Sequence, residues 1–138
     1  MACLVDTAVL IAAYFPREAH HRDAKEIITA LQTQRIRGAF ITDYILDEIV
    51  TFVRRRAGVE ASNRVLDNLL ASANLELLKV NKTHLEAGIA LFKRYDRLSF
   101  TDAITVAVMK DQGIDLIYSF DSGFDSVPGI VRIVKPSV

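Results

Sequence analysis

Residues 99–125 read SFTDAITVAVMKDQGIDLIYSFDSGFD, an apolar run opened by Asp102 and closed by Asp121 and Asp125. Helical periodicity covers Asp102 to Gln112 and Gly113 ends it, while Leu116 to Ser119 forms a short strand before a polar turn around Gly123. A helix that precedes a strand in a right-handed crossover runs antiparallel to it, so the helix N-terminus and the strand C-terminus share one edge. Asp102 and Asp121 are therefore expected to converge, although they lie at opposite ends of an otherwise buried segment.

The same alternation runs outward through the chain. Ala2 to Val5 is a short strand, followed by helices from Thr7 to Tyr14 and from Ala19 to Gln34. Ala39 to Ile41 is a second strand, and Thr42 caps a helix that reaches Arg56 and stops at Gly58. Val59 to Ala73 is helical, Leu75 to Val80 is a third strand, and Asn81 or Thr83 caps a helix to Arg94. Val131 to Val134 supplies a fifth strand after Leu116 to Ser119. Strands alternating with helices predict a three-layer α/β domain around a mainly parallel sheet of four to five strands, with residues 1–138 forming one domain.

In such a sheet Asp6, just past the first strand, reaches the same edge, where open α/β sheets place their ligand crevice. Glu48 lies in the second turn of the helix capped by Thr42, about 9 Å along its axis, and its side chain is long enough to lean back toward the crevice. Asp47 falls with Thr51 and Arg54 on the polar side, whereas Glu48 borders the apolar edge of Ile45 and Phe52, so Glu48 is the preferred fourth acid.

Composition removes several function classes. The 51% apolar share has no run approaching the ~18 residues of a membrane span, and Ala2 to Val5 leads straight into Asp6 rather than into a secretory signal. The expectation is a cytoplasmic protein with no membrane partner. The lone Cys3 has no partner for an internal disulfide and no metal-spaced neighbour. Seventeen basic and seventeen acidic side chains balance, with a pI near 6.8, so any nucleic-acid contact must be local.

Clustered carboxylates repel one another and burial raises their pKa values, so such a group calls for a neutralising cation. Carboxylates without Cys or His companions suit Mg²⁺ or Mn²⁺, whose shells are completed by water and substrate phosphates. The chemistry indicated is metal-dependent hydrolysis of a phosphodiester.

The segments LVDTAVLIA around Asp6, ITDYILDEIV around Glu48, LSFTDAITVAVM around Asp102 and SFDSGF around Asp121 resemble, in order and spacing, those of PIN-domain ribonucleases, above all the VapC-type toxins of prokaryotic toxin–antitoxin pairs. The resemblance spans nearly the whole chain. It implies a PIN-like α/β/α sandwich and a ribonuclease in which Asp6, Glu48, Asp102 and Asp121 hold Mg²⁺ or Mn²⁺. It also implies supporting roles for the Thr7 and Ser119 hydroxyls, Asp125 as an extra acid, a cognate antitoxin, and a homodimer to which Tyr14 and Phe15 are candidate contributors. Ala8 departs from the family, which often has a small polar residue there.

Each acid also has a purely structural reading. Ser99 to Asp102 approximates a capping box, Asp6 can cap the first helix, Asp121 and Asp125 suit a turn, and Glu48 alone is an ordinary helix acid. Arg54, Arg55 and Arg56 favour a helix C-terminus and are candidate RNA contacts, as are Arg17, Lys93, Arg94 and Arg97. His20, His21 and His84 are expected at the surface, since none stands in a metal-spaced motif. Two other classes compete with the enzyme. A receiver domain shares the size and a terminal Lys135-Pro136, but it needs paired acids after the first strand and a phosphoacceptor ending the third, which LELLKVNK lacks. A non-catalytic PIN-like module binding RNA or protein is favoured by a broken acid set, and this set is whole.

Overall fold

A computed structural model describes residues 1–136 and places five strands in one parallel sheet. β1 (Cys3–Val5), β2 (Ala39–Thr42), β3 (Leu75–Leu78), β4 (Leu116–Tyr118) and β5 (Val131–Ile133) lie in the order β3-β2-β1-β4-β5. All four pairings are parallel, with Cys3 beside Ala39 on one side and Leu116 on the other. β1 and β4 are continuous apolar runs, CLV and LIY, as strands covered on both faces require.

Helices α1 (Thr7–Tyr14) and α2 (His21–Gln32) join β1 to β2, α3 (Asp43–Ala57) and α4 (Val59–Ala71) join β2 to β3, and α5 (Lys82–Arg94) and α6 (Phe100–Gln112) join β3 to β4. From β1 to β3 the chain steps one way across the sheet, and from β3 to β4 it steps back. Right-handed crossovers therefore put α1 to α4 on one face and α5 and α6 on the other, giving the expected α/β/α sandwich. The direction reverses between β1 and β4, which makes their C-terminal ends the topological switch point.

Core packing holds that point rigid. Leu4, Val5, Val9, Ile104 and Ile117 are fully buried, and eight successive residues of α6, Asp102 to Met109, are buried all round the helix. α5 comes close to α6 because position 88 is glycine: a Cβ there would collide with the Ile104 side chain.

Several boundaries differ from expectation. α2 begins at His21 rather than Ala19, because the Glu18 amide bonds the Phe15 carbonyl and the His21 amide the Glu18 carbonyl, while Pro16 has no N–H to give the Ala12 carbonyl. His21 Nδ1 donates to that oxygen at 2.6 Å instead, folding residues 15–20 into turns against α1. β3 ends at Leu78, since the Val80 amide turns away to the Asp43 carboxylate at 3.0 Å. α6 begins at Phe100 with Ser99 as its cap, which puts Asp102 one turn inside the helix. His84, expected at the surface, is only 4% exposed. It accepts the Asn81 amide on Nδ1 at 3.1 Å and places Nε2 2.7 Å from Asp111, fastening the start of α5 to the end of α6.

Candidate active site

Asp6 leaves β1 in an extended conformation and caps α1, so one residue both ends a strand and starts a helix. Its Oδ1 accepts the Thr7 amide at 2.9 Å and its Oδ2 accepts the Ser119 hydroxyl at 2.7 Å. With a neighbour that cannot bond at Ala8, these two contacts supply the hydrogen bonding of a side chain that is 3% exposed. The Ser119 oxygen also accepts the Asp121 amide at 3.0 Å, so a single hydroxyl ties the ends of β1 and β4 together.

Thr7 turns its hydroxyl the other way and donates to Glu48 Oε1 at 2.7 Å. That bond draws the α3 side chain back over the sheet edge. Asp102 makes a reciprocal box with Ser99, donating its amide to the hydroxyl at 3.1 Å and accepting the Ser99 amide on Oδ2 at 3.3 Å. Asp121 caps the 3₁₀ turn Ser122–Ser126 by accepting the Gly123 amide at 2.8 Å. The structural readings of Asp6 as a helix cap, Asp102 as part of a capping box and Asp121 as a turn residue are thus correct, and the same three residues face one cleft.

This cleft, of about 550 Å³, is lined by Asp6, Glu48, Asp102 and Asp121, with Thr7 and Ser99 beside them. Ile11 and Phe52 form an apolar wall and Arg55 stands at the rim. Burial, reinforced by the charge of Asp102, pushes Asp6 up to about 7 against the pull of its Ser119 and Thr7 bonds. Burial also pushes Asp102 up to about 6, opposed by Ser99 and assisted by Asp121, which is close enough to bond to the protonated acid. The donor set is all oxygen and carries excess negative charge, which fits a hard divalent cation. Among the described residues no three or more His, Cys, Asp and Glu side chains stand close enough together to hold a metal ion.

Other expected site residues lie elsewhere. Asp125 gives both oxygens to Arg132, at 3.0 and 2.9 Å, which holds its carboxyl below the ordinary range and keeps it out of the acid group. Arg54 bonds Ser62 and Asn63 of α4, Arg56 lies over the Phe15 and Phe52 rings, and of the three only Arg55 lines the cleft. Arg97 bonds Ser122 at 2.7 Å and Arg94 covers Tyr95. Two residues that the sequence does not single out also line the cleft: Asp47, on the polar side of α3, and Ser99, the cap of α6, beside Asp102. The Ser99-x-x-Asp102 spacing was the available signal for the second.

The family model described as "PIN domain" matches residues 3–130, which hold β1 to β4 of this parallel sheet and the acidic crevice at its switch point. The chain is 31% identical over 134 residues to Ribonuclease VapC13 of Mycobacterium tuberculosis, covering 94% of this chain and 98% of that one. It is 29% identical over 135 residues to a VapC ribonuclease of Archaeoglobus fulgidus, covering 96% of this chain and 84% of the other. The crystal structure of M. tuberculosis VapC20, described as a sarcin-ricin loop cleaving toxin, superposes with a TM-score of 0.81 at 26% identity, covering 96% and 98% of the two chains. DNA-bound VapBC from Salmonella typhimurium shares the fold, with a TM-score of 0.70 at 14% identity over 96% and 97%. The chain belongs to the PIN-domain family, in its VapC group.

Proposed function

We propose that this chain is a Mg²⁺- or Mn²⁺-dependent endoribonuclease, the toxin of a VapBC-type pair, acting as a single domain on cytoplasmic RNA. The observation that carries this reading is the convergence of Asp6, Glu48, Asp102 and Asp121 on one cleft. Those four acids would hold the metal, which when bound would activate a water for in-line attack on the phosphodiester and stabilise the leaving oxygen.

The chain's own groups supply the rest. Ser119 holds Asp6 at the cleft floor and favours its ionised form, the form a cation needs. Thr7 orients Glu48, and Ser99 fixes Asp102 facing Asp121. Burial, with the Asp121 charge beside it, makes Asp102 hold its proton more readily than a free carboxyl, and a bound cation would displace that proton. Arg55 offers positive charge to an incoming phosphate, and Phe52 and Ile11 give an apolar surface for a sugar or base. VapC names and a toxin description among the relatives support a ribonuclease held by an antitoxin. A homodimer completes this reading, supported by the exposed apolar residues Ile89, Phe92 and Phe100 on α5 and α6.

Incubation with defined RNAs in Mg²⁺, Mn²⁺ or chelator tests the reading. Cleavage is expected with either ion and none in chelator, and equal cleavage in chelator would overturn it.

A further inference from the structure

Around the residues that follow β5 the surface is basic. A groove of about 660 Å³ runs along the outer face of α2, lined by Arg22, Lys25, Arg35 and Lys135, with His21 at its head and Glu26 as the acid in its wall. Arg22, Lys25 and Thr29 are all exposed and spaced to form one helical stripe. Lys135 Nζ lies 4.0 Å from Asp23, the limit of an ion pair, and its side chain stays 67% exposed. In a chain of zero net charge, this is a concentrated patch of cations.

Topology leads this groove to the acids. β5 is parallel to β4, so the chain beyond Ile133 leaves the sheet at the edge of Asp121, and the Ser119 amide donates to the Ile133 carbonyl at 3.2 Å. Lys135 follows two residues later. α2 precedes the parallel strand β2 and so begins at that edge too. At the junction the His20 ring stacks on Phe120, with centroids 4.3 Å apart and planes 14° from parallel. Phe120 stands between Ser119 and Asp121 in the chain, and His20 is exposed.

We propose that single-stranded RNA leaving the cleft passes over the His20–Phe120 stack and along α2, where Arg22, Lys25, Arg35 and Lys135 bind its phosphates. The assignment rests on the ribonuclease reading of the cleft. A flat aromatic pair followed by spaced cations is the pattern that holds single strands, because every base has a face to stack and every nucleotide a charge. An acidic protein segment would meet the cations but has no bases to stack on the ring pair, so RNA is the favoured occupant.

The test is binding of a fluorescent single-stranded RNA in chelator, where no metal-dependent cleavage intervenes, across a salt series. The wild type is compared with Arg22→Gln/Lys25→Gln/Arg35→Gln, and with Arg64→Gln/Lys79→Gln/Lys110→Gln as a charge-matched control. The groove variant is expected to bind more weakly and to lose roughly 2 from the slope of log affinity against log salt, the loss of three phosphate contacts on a single strand. His20→Ala should weaken binding roughly tenfold and His20→Phe should restore it, since a flat ring then remains over Phe120. Equal losses in the groove and control variants would overturn the track, and so would absence of wild-type binding. Equal affinity for polyglutamate of matched charge would also overturn it and assign the groove to an acidic protein. Salt-dependent groove binding by a protein that cuts no RNA in Mg²⁺ would uphold the track and overturn the ribonuclease reading. Cleavage with unaltered binding in the groove variant would do the reverse.

Discussion

Ser119 donates its hydroxyl to Asp6 across 113 residues of chain, at 2.7 Å, and accepts the Asp121 amide on the same oxygen. One buried side chain therefore sets the spacing of two acids carried by different strands.

Removing that hydroxyl tests the connection. Ser119→Ala leaves an oxygen of Asp6 and the Asp121 amide without their partner, and stability should fall by about 1–3 kcal/mol. The bond also favours ionised Asp6, so the pH at which cleavage reaches half its maximum should move upward. Urea denaturation and a pH–rate profile measure the two effects, and an unmoved profile would separate Ser119 from the acids.

Protonation and metal binding oppose each other at this site. Asp6 is raised to about 7 and Asp102 to about 6, each from 3.8, so the folded chain retains protons that the unfolded chain has lost. The metal-free protein should therefore gain stability as pH falls from about 7 to about 4, by on the order of 5 kcal/mol. Mn²⁺ should raise the melting temperature most at pH 7.5 and least at pH 5, because it needs deprotonated carboxylates. Identical melting at pH 7.5 with Mn²⁺ and with chelator would count against a metal site.

Asp102 separates a cap from a ligand. Asn keeps an oxygen for the Ser99 amide but removes the charge, so Asp102→Asn should preserve α6 and leave the metal-free protein as stable or more stable. Cleavage in Mg²⁺ should fall by roughly a hundredfold or more. A fully active variant would reduce Asp102 to its role in the helix start.

The three adjacent arginines should behave differently. Arg55→Gln, at the cleft rim, should lower kcat/KM for RNA roughly tenfold with little change in stability. Arg54→Gln breaks bonds to Ser62 and Asn63 and should cost about 1 kcal/mol of stability while leaving cleavage unchanged. Parallel melts and initial rates distinguish them, and an interchange of the two phenotypes would refute the assignment.

The convergence of Asp6, Asp102 and Asp121 was legible because it follows from strand order and crossover hand, which short apolar runs between amphipathic helices reveal. Glu48 needed only its position on the helical wheel. What escaped depended on partners distant in the chain or on small rotations. Arg54, Arg55 and Arg56 differ by about 100° each around one helix, and only the placement of α4 against Arg54 and of Phe15 against Arg56 decides which of them is occupied. Asp125 reads as a turn acid until β5 brings Arg132 beside it. His84 sits in a polar stretch at the start of α5, and nothing local says that α6 will cover it.

The long separation between Asp6 and Ser119 also sets a schedule for synthesis. A chain still on the ribosome can form β1, cap α1 and position Glu48 through Thr7, yet lacks Asp121 and the Ser119 bond to Asp6 until residues 116–121 emerge and β4 joins β1. Closing so distant a pairing is among the slower steps of folding. On the proposed function, cutting power therefore waits until β4 has joined β1 and brought Ser119 to Asp6.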